Sequence, residues 1–396
     1  MKNINDICTR GKKVIIRVDF NVPLDKNFNV TDNSRIVAAL PTINKVAKEG
    51  GKVILISHLG RPKNGFDDKL SLHHVVSSLS ILLNKKVSFC RDCIGDTTTK
   101  DVDDMENGDI LVLENLRFYK EETQGDFVFA KKLSDLADIY VNDAFGTAHR
   151  SHASTAIIAN FFPKNKFFGL LLYKELENLK RALENPKRPF TAIIGGAKIS
   201  GKIDVIQSLF NKVDNLIIGG GMAYTFAKAI GGSIGKSLVE DDKLDLARKL
   251  IAESQEKGVN LILPIDSVNA NRFNNDAKII KSNISNINQE HMGLDIGAKS
   301  IEKFSEIILK SKTIVWNGPM GVFEMKNFQA GTKLVGKAIC RATKNGAFSL
   351  VGGGDSVSAV NQFKFSKDIT YLSTGGGAML KFLEGKKLPG VEAILD

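Results

Sequence analysis

The sequence predicts an α/β fold of two similar lobes, each a mostly parallel sheet with helices on both faces, joined by a central helix. Three observations carry this expectation. Short β-branched apolar runs alternate with polar or Gly-rich turns and helical patterns along the whole chain, the pattern of parallel strands joined by crossover helices. At 396 residues the chain exceeds one ordinary core and suits two lobes of about 150–200 residues each. Near the midpoint, Leu172, Leu176, Leu179 and Leu183 recur at i, i+4, i+7 and i+11, giving an amphipathic helix that Asn185-Pro186 stops. That helix reads as a connector between lobes; an ordinary crossover helix has the same periodicity.

Taken in order, the first half has strand runs at Val14–Val18, Val53–Ser57, Ile110–Leu113 and Ile139–Val141. The second half has them at Ala192–Ile194, Leu216–Ile218, Leu261–Ile265, Thr313–Trp316, Ser349–Val351 and Thr370–Leu372. The corresponding division is residues 1–168 for the first lobe, 169–185 for the connecting helix and 186–375 for the second lobe. Ligands of open α/β sheets bind beyond the carboxyl ends of the strands, so the turns after these runs are where chemistry belongs. In the first half the turns carry Arg17, Asp19 and Asn21, then His58 and Arg61, then Arg117, and finally His149, Arg150 and His152 beyond Asn142-Asp143. In the second half they carry Gly195-Gly196, Gly219-Gly220-Gly221, Gly352-Gly353-Gly354 and Gly375-Gly376-Gly377. One lobe offers charged side chains and the other bare backbone, which suits two different ligands.

Composition narrows what those ligands are. A formal charge of +11 favours anions. The lysines and arginines are dispersed, no basic run is interleaved with aromatics, and no zinc-finger or RNA-binding signature is present, which argues against nucleic acid. No apolar run approaches the roughly 18 residues needed to cross a bilayer. The opening Met-Lys-Asn-Ile-Asn-Asp lacks the apolar stretch of a secretory signal, and four cysteines are too few for a disulfide scaffold, so a cytoplasmic location is the expectation. Cys90-Arg-Asp-Cys93 has no second pair beside it and reads as structural.

Consecutive glycines at a strand end cost conformational entropy, and four such runs in one lobe, three of them triplets, point to close backbone approach to phosphate rather than to tight turns alone. No G-x-G-x-x-G is present, which counts against a nicotinamide-dependent oxidoreductase; Gly231–Ser237 imitates a Walker A loop but is one residue short. Lys198 and Lys202 follow Gly195-Gly196 and are expected to share one side of a helix's first turn. Cations there oppose the helix dipole, by about 0.3–1 kcal/mol each, unless an anion binds; two solvated surface lysines are the other reading. Arg35, in the expected first turn of a helix after Thr31-Asp32-Asn33-Ser34, poses the same choice. Asp355 suits either a helix N-cap or a Mg²⁺ ligand, and Glu324 offers acceptors for ribose hydroxyls.

Together these segments resemble the phosphoglycerate kinase family over essentially the whole chain. The motifs are Val14-Ile-Ile-Arg-Val-Asp-Phe-Asn-Val-Pro23, Ser57-His-Leu-Gly-Arg-Pro62, Leu113-Glu-Asn-Leu-Arg-Phe118 and Tyr140-Val-Asn-Asp-Ala-Phe-Gly-Thr-Ala-His-Arg150. The second half adds Gly195-Gly-Ala-Lys198, Trp316-Asn-Gly-Pro-Met-Gly-Val-Phe-Glu324, Gly352-Gly-Gly-Asp-Ser356 and Ser373-Thr-Gly-Gly-Gly-Ala378. The resemblance implies reversible, Mg²⁺-dependent transfer of a phosphoryl group between 1,3-bisphosphoglycerate with ADP and 3-phosphoglycerate with ATP, by a monomer. It implies that Asp19, Asn21, Arg35, His58, Arg61, Arg117 and Arg150 hold the acid substrate. Lys202, Gly293, Glu324, Gly353, Gly354, Asp355 and Ser356 hold the nucleotide on the same ground, with Asp355 on Mg²⁺. Arg35, Lys198, Lys202 and the helix start at Gly375 and Gly376 meet the transferring group. It also implies a C-terminal segment, 376–396, that returns to the first lobe, and closure of the lobes in catalysis. Gly201 stands where the family often has Asp, which leaves no carboxylate for an auxiliary role at that position. A non-catalytic anion- or nucleic-acid-binding α/β protein is the alternative.

Overall fold

The computed structural model describes residues 1–63 and 65–395. The chain divides into two compact units, Met1–Glu177 with Lys387–Asp396, and Asn178–Lys386.

The first unit is built on a six-stranded parallel sheet with the spatial order Ser88–Cys90, Ile110–Leu113, Lys52–Ile56, Lys13–Arg17, Ile139–Asn142, Lys166–Phe168. Its central strands are buried on both faces, which is why they read as continuous apolar runs without alternation. Val14, Ile16, Val53, Leu55, Val112 and Val141 pack against Ile36 and Ile43 of the helix Ser34–Lys48 and Val75 and Leu79 of the helix His73–Leu83. The winding direction reverses beside Lys13–Arg17, the first strand, which lies between Lys52–Ile56 and Ile139–Asn142. The segments leaving the first strand and Ile139–Asn142 therefore open the crevice expected at such a switch point. Ser88–Cys90 and Lys166–Phe168 were not among the expected strands: each has three residues and none is β-branched.

The second unit repeats the plan with a six-stranded parallel sheet ordered Asn260–Ile262, Asn215–Ile218, Phe190–Ile194, Thr313–Asn317, Phe348–Val351, Tyr371–Leu372. Its switch point falls between Phe190–Ile194 and Thr313–Asn317, whose ends lead into Gly195 and Gly318. Trp316 is fully buried here, and its Nε1–H donates to Gly318 O at 2.7 Å. The expected strand Leu261–Ile265 stops at Ile262, because Pro264 has no N–H to give the ladder. A small antiparallel sheet, Ile279–Asn283, Asp266–Ala270, Met292–Ile296, was not anticipated.

The helix Leu170–Leu183 crosses from one unit's residues to the other's. Its Leu172, Leu176 and Leu179 are fully buried, and its start is anchored by Asp143, whose Oδ1 accepts from Leu171 N at 2.9 Å and Leu172 N at 3.1 Å. At the other end of the chain, the helix Gly376–Leu383 belongs to the second unit, and only the residues from Lys387 onward belong to the first. That places the change of unit later than the expected residue 376. Gly390 N donates to Ala148 O at 2.9 Å, and Asn142 Nδ2 donates to Gly390 O at 3.1 Å. No helix among the described residues is long and apolar enough to cross a membrane.

Candidate active site

In the first unit, the sheet's carboxyl edge places a guanidinium inside the protein. Arg17, the last residue of its strand, is fully buried. It donates from Nε to Ser154 Oγ at 2.9 Å and from Nη1 to Val18 O, and its Nη2 lies 3.2 Å from His58 Nδ1. A guanidinium has only donors, so His58 Nδ1 accepts and the ring proton resides on Nε2. Burial, then the charges of Arg17, Arg117, Arg150 and Arg35, push the His58 pKa well below its ordinary value, so the ring is neutral.

Arg35, second residue of its helix, is held by Asp19. Its Nη1 lies 3.1 Å from both carboxylate oxygens and 3.0 Å from Asn21 O. Asn21 Oδ1 in turn accepts from Gly60 N at 2.9 Å, and Gly60 O accepts from Arg117 Nη1 at 2.7 Å. Asp19, Asn21, Arg35, Gly60 and Arg117 thus form one chain of hydrogen bonds across three strand ends.

Arg61, Arg117, Arg150 and His152 line a cavity of about 670 Å³ with Lys63, Lys120, Phe118 and Tyr119. Burial, then Arg150 and Arg17, lower the Arg117 pKa to about 10, against an opposing pull from Glu122. Arg150 is lowered by burial, then by Arg61 and Arg17, with Asp19 opposing. His152 falls to about 4 for the same reasons, burial first and Arg150 next. Arg117 Nε is buried with no hydrogen-bond partner among the described residues. Crowded cations with an orphaned donor form a site that a multiply charged anion completes.

In the second unit, Gly195, Gly196, Lys198, Lys202, Asn317, Gly353, Gly354, Asp355, Ser356, Gly376 and Gly377 line a cavity of about 420 Å³. Two helices start at it, Gly354–Gln362 and Gly376–Leu383, and neither start has a side-chain cap. Their first-turn N–H groups are the donors that suit phosphate oxygens. Gly195 and Gly353 leave no room for a side chain. A Cβ on Gly195 would lie 2.1 Å from Pro319 O, and Gly353 has φ +96° with Asn317 Nδ2 2.7 Å from any Cβ. Gly318 N donates to Ser356 Oγ at 2.6 Å, which ties the two glycine turns together.

The lysines differ from expectation. The helix begins at Ile203, so Lys198 and Lys202 lie in the turn before it and not on one face of its first turn. Gly195-Gly196 and the positive φ of Gly196 lengthen this turn, and both lysines still reach the cavity. Lys202 Nζ donates to Asn317 Oδ1; burial lowers its pKa although Asp355 and Glu384 pull it upward. Asp355 is no N-cap: Gly353 occupies that position, and the exposed Asp355 carboxylate sits in the first turn at the cavity. Gly293 and Glu324 are not among the lining residues. Gly293 lies in the antiparallel sheet with its N–H on Ser237 Oγ at 2.8 Å, and Glu324 is exposed in a turn. Gly375 is the N-cap position of the last helix of this unit, its N–H on Ser373 Oγ at 3.3 Å.

A family model described as phosphoglycerate kinase matches residues 4–386. The chain belongs to the phosphoglycerate kinase family. It is therefore a phosphotransferase with a carboxyl acceptor and a glycolytic kinase, and no comparison supports the alternative of a non-catalytic binding protein. It is 53% identical to the phosphoglycerate kinase of Porphyromonas gingivalis over 97% of each chain. It is 51% identical to that of Chlorobium phaeobacteroides, covering 100% of this chain and 99% of the relative. Among solved structures, phosphoglycerate kinase from Coxiella burnetii superposes with a TM-score of 0.90 at 42% identity, over 99% of this chain and 98% of that one.

Two supporting residues escaped the sequence reading. Asn317 holds Lys202 through Oδ1 and Gly352 O through Nδ2 at 2.8 Å, and its position directly after an apolar run was the available signal. Glu122, fully buried, accepts from Ser154 N at 2.9 Å and Ser154 Oγ at 2.7 Å, and so backs the serine that orients Arg17. It lies in a five-residue helix with no pattern to mark it.

Proposed function

We propose that the first unit's cavity holds 3-phosphoglycerate or 1,3-bisphosphoglycerate and the second unit's cavity holds ATP or ADP, so that the protein transfers a phosphoryl group between them. The observation that carries this reading is a cavity lined by Arg61, Arg117 and Arg150 that leaves Arg117 Nε unpaired, with both Arg117 and Arg150 lowered by burial first and then by neighbouring arginines. Such a site gains most from a ligand with two anionic groups, a phosphate and a carboxylate. The glycine-rich cavity, with Lys198, Lys202 and two helix starts, suits the phosphate tail of a nucleotide.

Asp355 would hold the Mg²⁺ that accompanies the nucleotide. Among the described residues no group of three or more metal-ligating side chains occurs, so one exposed carboxylate fits an ion whose other ligands are phosphate oxygens and water. When bound, the ion would neutralise charge on those phosphates. Glu324 and Gly293, outside the cavity lining, would serve the ribose and base end of the same ligand.

The residues then act by position and charge. Arg61, Arg117 and Arg150 would fix the acid, with neutral His58 presenting its Nε2–H. Arg35, Lys198, Lys202 and the helix start at Gly376 would surround the transferring group, Lys202 leaving Asn317 for a phosphate oxygen. Neither acceptor needs a general base, since a carboxylate and an ADP oxygen are already ionised. Because the ligands belong to different units, transfer within about 3–3.5 Å requires the units to close, which would also exclude water and suppress hydrolysis of ATP. The same reading makes the protein a cytoplasmic monomer. A coupled assay tests it: ATP-dependent consumption of 3-phosphoglycerate is expected, and a preparation that leaves both compounds unchanged contradicts it.

A further inference from the structure

His74 touches both of the segments that carry the acid-binding side chains. It sits in the first turn of the helix His73–Leu83, half-buried. One face of its ring stacks on Phe28, with centroids 4.5 Å apart and planes inclined by 13°. Its Nε2 lies 2.7 Å from Asp68 O. A carbonyl oxygen only accepts, so Nε2 bears the proton and donates.

Phe28 is the tip of the connection between Asp19 and Asn21 on one side and Arg35 on the other. The connection folds back on itself through a bridge between Leu24 and Val30, with Phe28 N on Asp25 O at 3.0 Å and Asp25 N on Asn29 O at 2.9 Å. Phe28 has φ +63°, a left-handed conformation that a bulky residue rarely adopts and that glycine takes freely. Such a residue persists only where its surroundings hold it; here the turn is tied by Asp25, whose Oδ1 accepts from Asn27 N at 2.7 Å and Asn29 N at 2.9 Å, and the His74 ring packs on the Phe28 side chain. At its base the connection is closed by Arg35 on Asp19 and Asn21.

Asp68 belongs to the short helix Asp68–Leu70, beyond Arg61. Leu70 O accepts from Asn115 Nδ2 at 2.8 Å, and the Leu70 side chain covers Gly60, where an added Cβ would come within 2.5 Å of it. Gly60 gives its N–H to Asn21 and its carbonyl to Arg117. The second segment therefore sets the height of Gly60, and Gly60 sets Asn21 and Arg117.

The geometry points to His74 as a positioning residue of the acid-substrate site: one ring clasps the Arg35-bearing connection by stacking and the segment beyond Arg61 by a hydrogen bond. This inference rests on the assignment of the acid to the first unit's cavity. None of the contacts involves the nucleotide cavity, so the effect falls on one substrate.

The test is steady-state kinetics of four full-length variants with 3-phosphoglycerate and ATP varied separately. His74→Ala removes both contacts and is expected to raise KM for 3-phosphoglycerate about tenfold, the scale at which small displacements of positioned groups act, with KM for ATP within about twofold. Phe28→Gly removes only the stack and relieves the unfavourable φ, so it is expected to raise the same KM by about threefold with no loss of thermal stability. That combination excludes a purely structural role. His74→Phe keeps the stack and should lie between wild type and His74→Ala. Arg61→Ala reports on the assignment itself. If KM for 3-phosphoglycerate is unchanged in His74→Ala and Phe28→Gly but raised in Arg61→Ala, the clasp is overturned and the site assignment stands. If Arg61→Ala is also unchanged, the assignment falls and the clasp falls with it. An equal rise in both substrates' KM values also overturns the clasp.

Discussion

The two units share a sheet plan and, on the proposed assignment, would each hold a phosphorylated ligand by different means. In the first, charge comes from side chains: Arg17, Arg61, Arg117 and Arg150 crowd together, and burial first, then the neighbouring arginines, lowers the pKa values of Arg117, Arg150, His58 and His152. In the second, backbone N–H groups at glycine turns and helix starts join two lysines, of which burial lowers Lys202. A side-chain site in the free protein repels itself and is relaxed by its ligand, so affinity depends on charge. A site built largely on backbone N–H groups depends more on close approach, and its weak point is a Cβ added where the backbone leaves no room, as at Gly195 or Gly353.

The largest effects should come from the cations assigned to the transferring group. Arg35→Ala and Lys202→Ala are each expected to lower turnover by about a hundredfold or more, with a change in melting temperature of no more than about 3 °C. Near-normal turnover in either would remove that residue from the mechanism. The glycine side of the comparison is sharpened by two neighbours. Gly353→Ala forces a side chain onto φ +96° and against Asn317, whereas Gly354 has ordinary φ and nothing within 4 Å of its Cβ position. Gly353→Ala should destabilise the fold by more than about 1 kcal/mol and Gly354→Ala by less than about 0.5. Equal melting temperatures for the two would show that backbone geometry does not limit this turn.

A smaller, pH-dependent effect distinguishes the units. His152 keeps its proton off in the folded protein until about pH 4, while the unfolded chain takes one up below about 6.5. Its contribution to stability is present above 6.5 and is lost as pH falls toward 4. Asp295 in the second unit works the other way. Burial raises it to about 7, against hydrogen bonds from Gly331, Ile296 and Ala330 that lower it. Its contribution is present below about pH 4 and declines as pH rises to 7. The difference in melting temperature between His152→Gln and wild type should therefore shift in the variant's favour from pH 6.5 to 4, and that for Asp295→Asn in the variant's favour from pH 4 to 7. Differences independent of pH would contradict both environments.

Much of this plan was legible because buried parallel strands leave long β-branched runs and because strand ends carry the chemistry. Four of the first unit's strands and all six in the second unit's main sheet coincide with apolar runs read from the sequence, within a few residues at their ends. Ser88–Cys90 and Lys166–Phe168, which contain no β-branched residue, and the antiparallel sheet around Met292–Ile296 leave no such trace. The cationic residues could be named singly, but their order could not. Nothing in the sequence shows that Arg17 is buried and serves His58, or that Arg35 is paired with Asp19. Lys198 and Lys202 were misplaced because a helical spacing of i, i+4 also occurs in a turn, and Gly196 at φ +114° makes that turn.

Hydrogen–deuterium exchange of the full-length protein with one ligand at a time tests the division of roles most directly. With 3-phosphoglycerate alone, protection should concentrate in peptides containing His58, Arg61, Arg117 and Arg150. With Mg-ADP alone, it should concentrate in those containing Gly195–Lys202, Gly353–Ser356 and Gly376. Protection of the same peptides by both ligands, or the reverse assignment, would contradict the account.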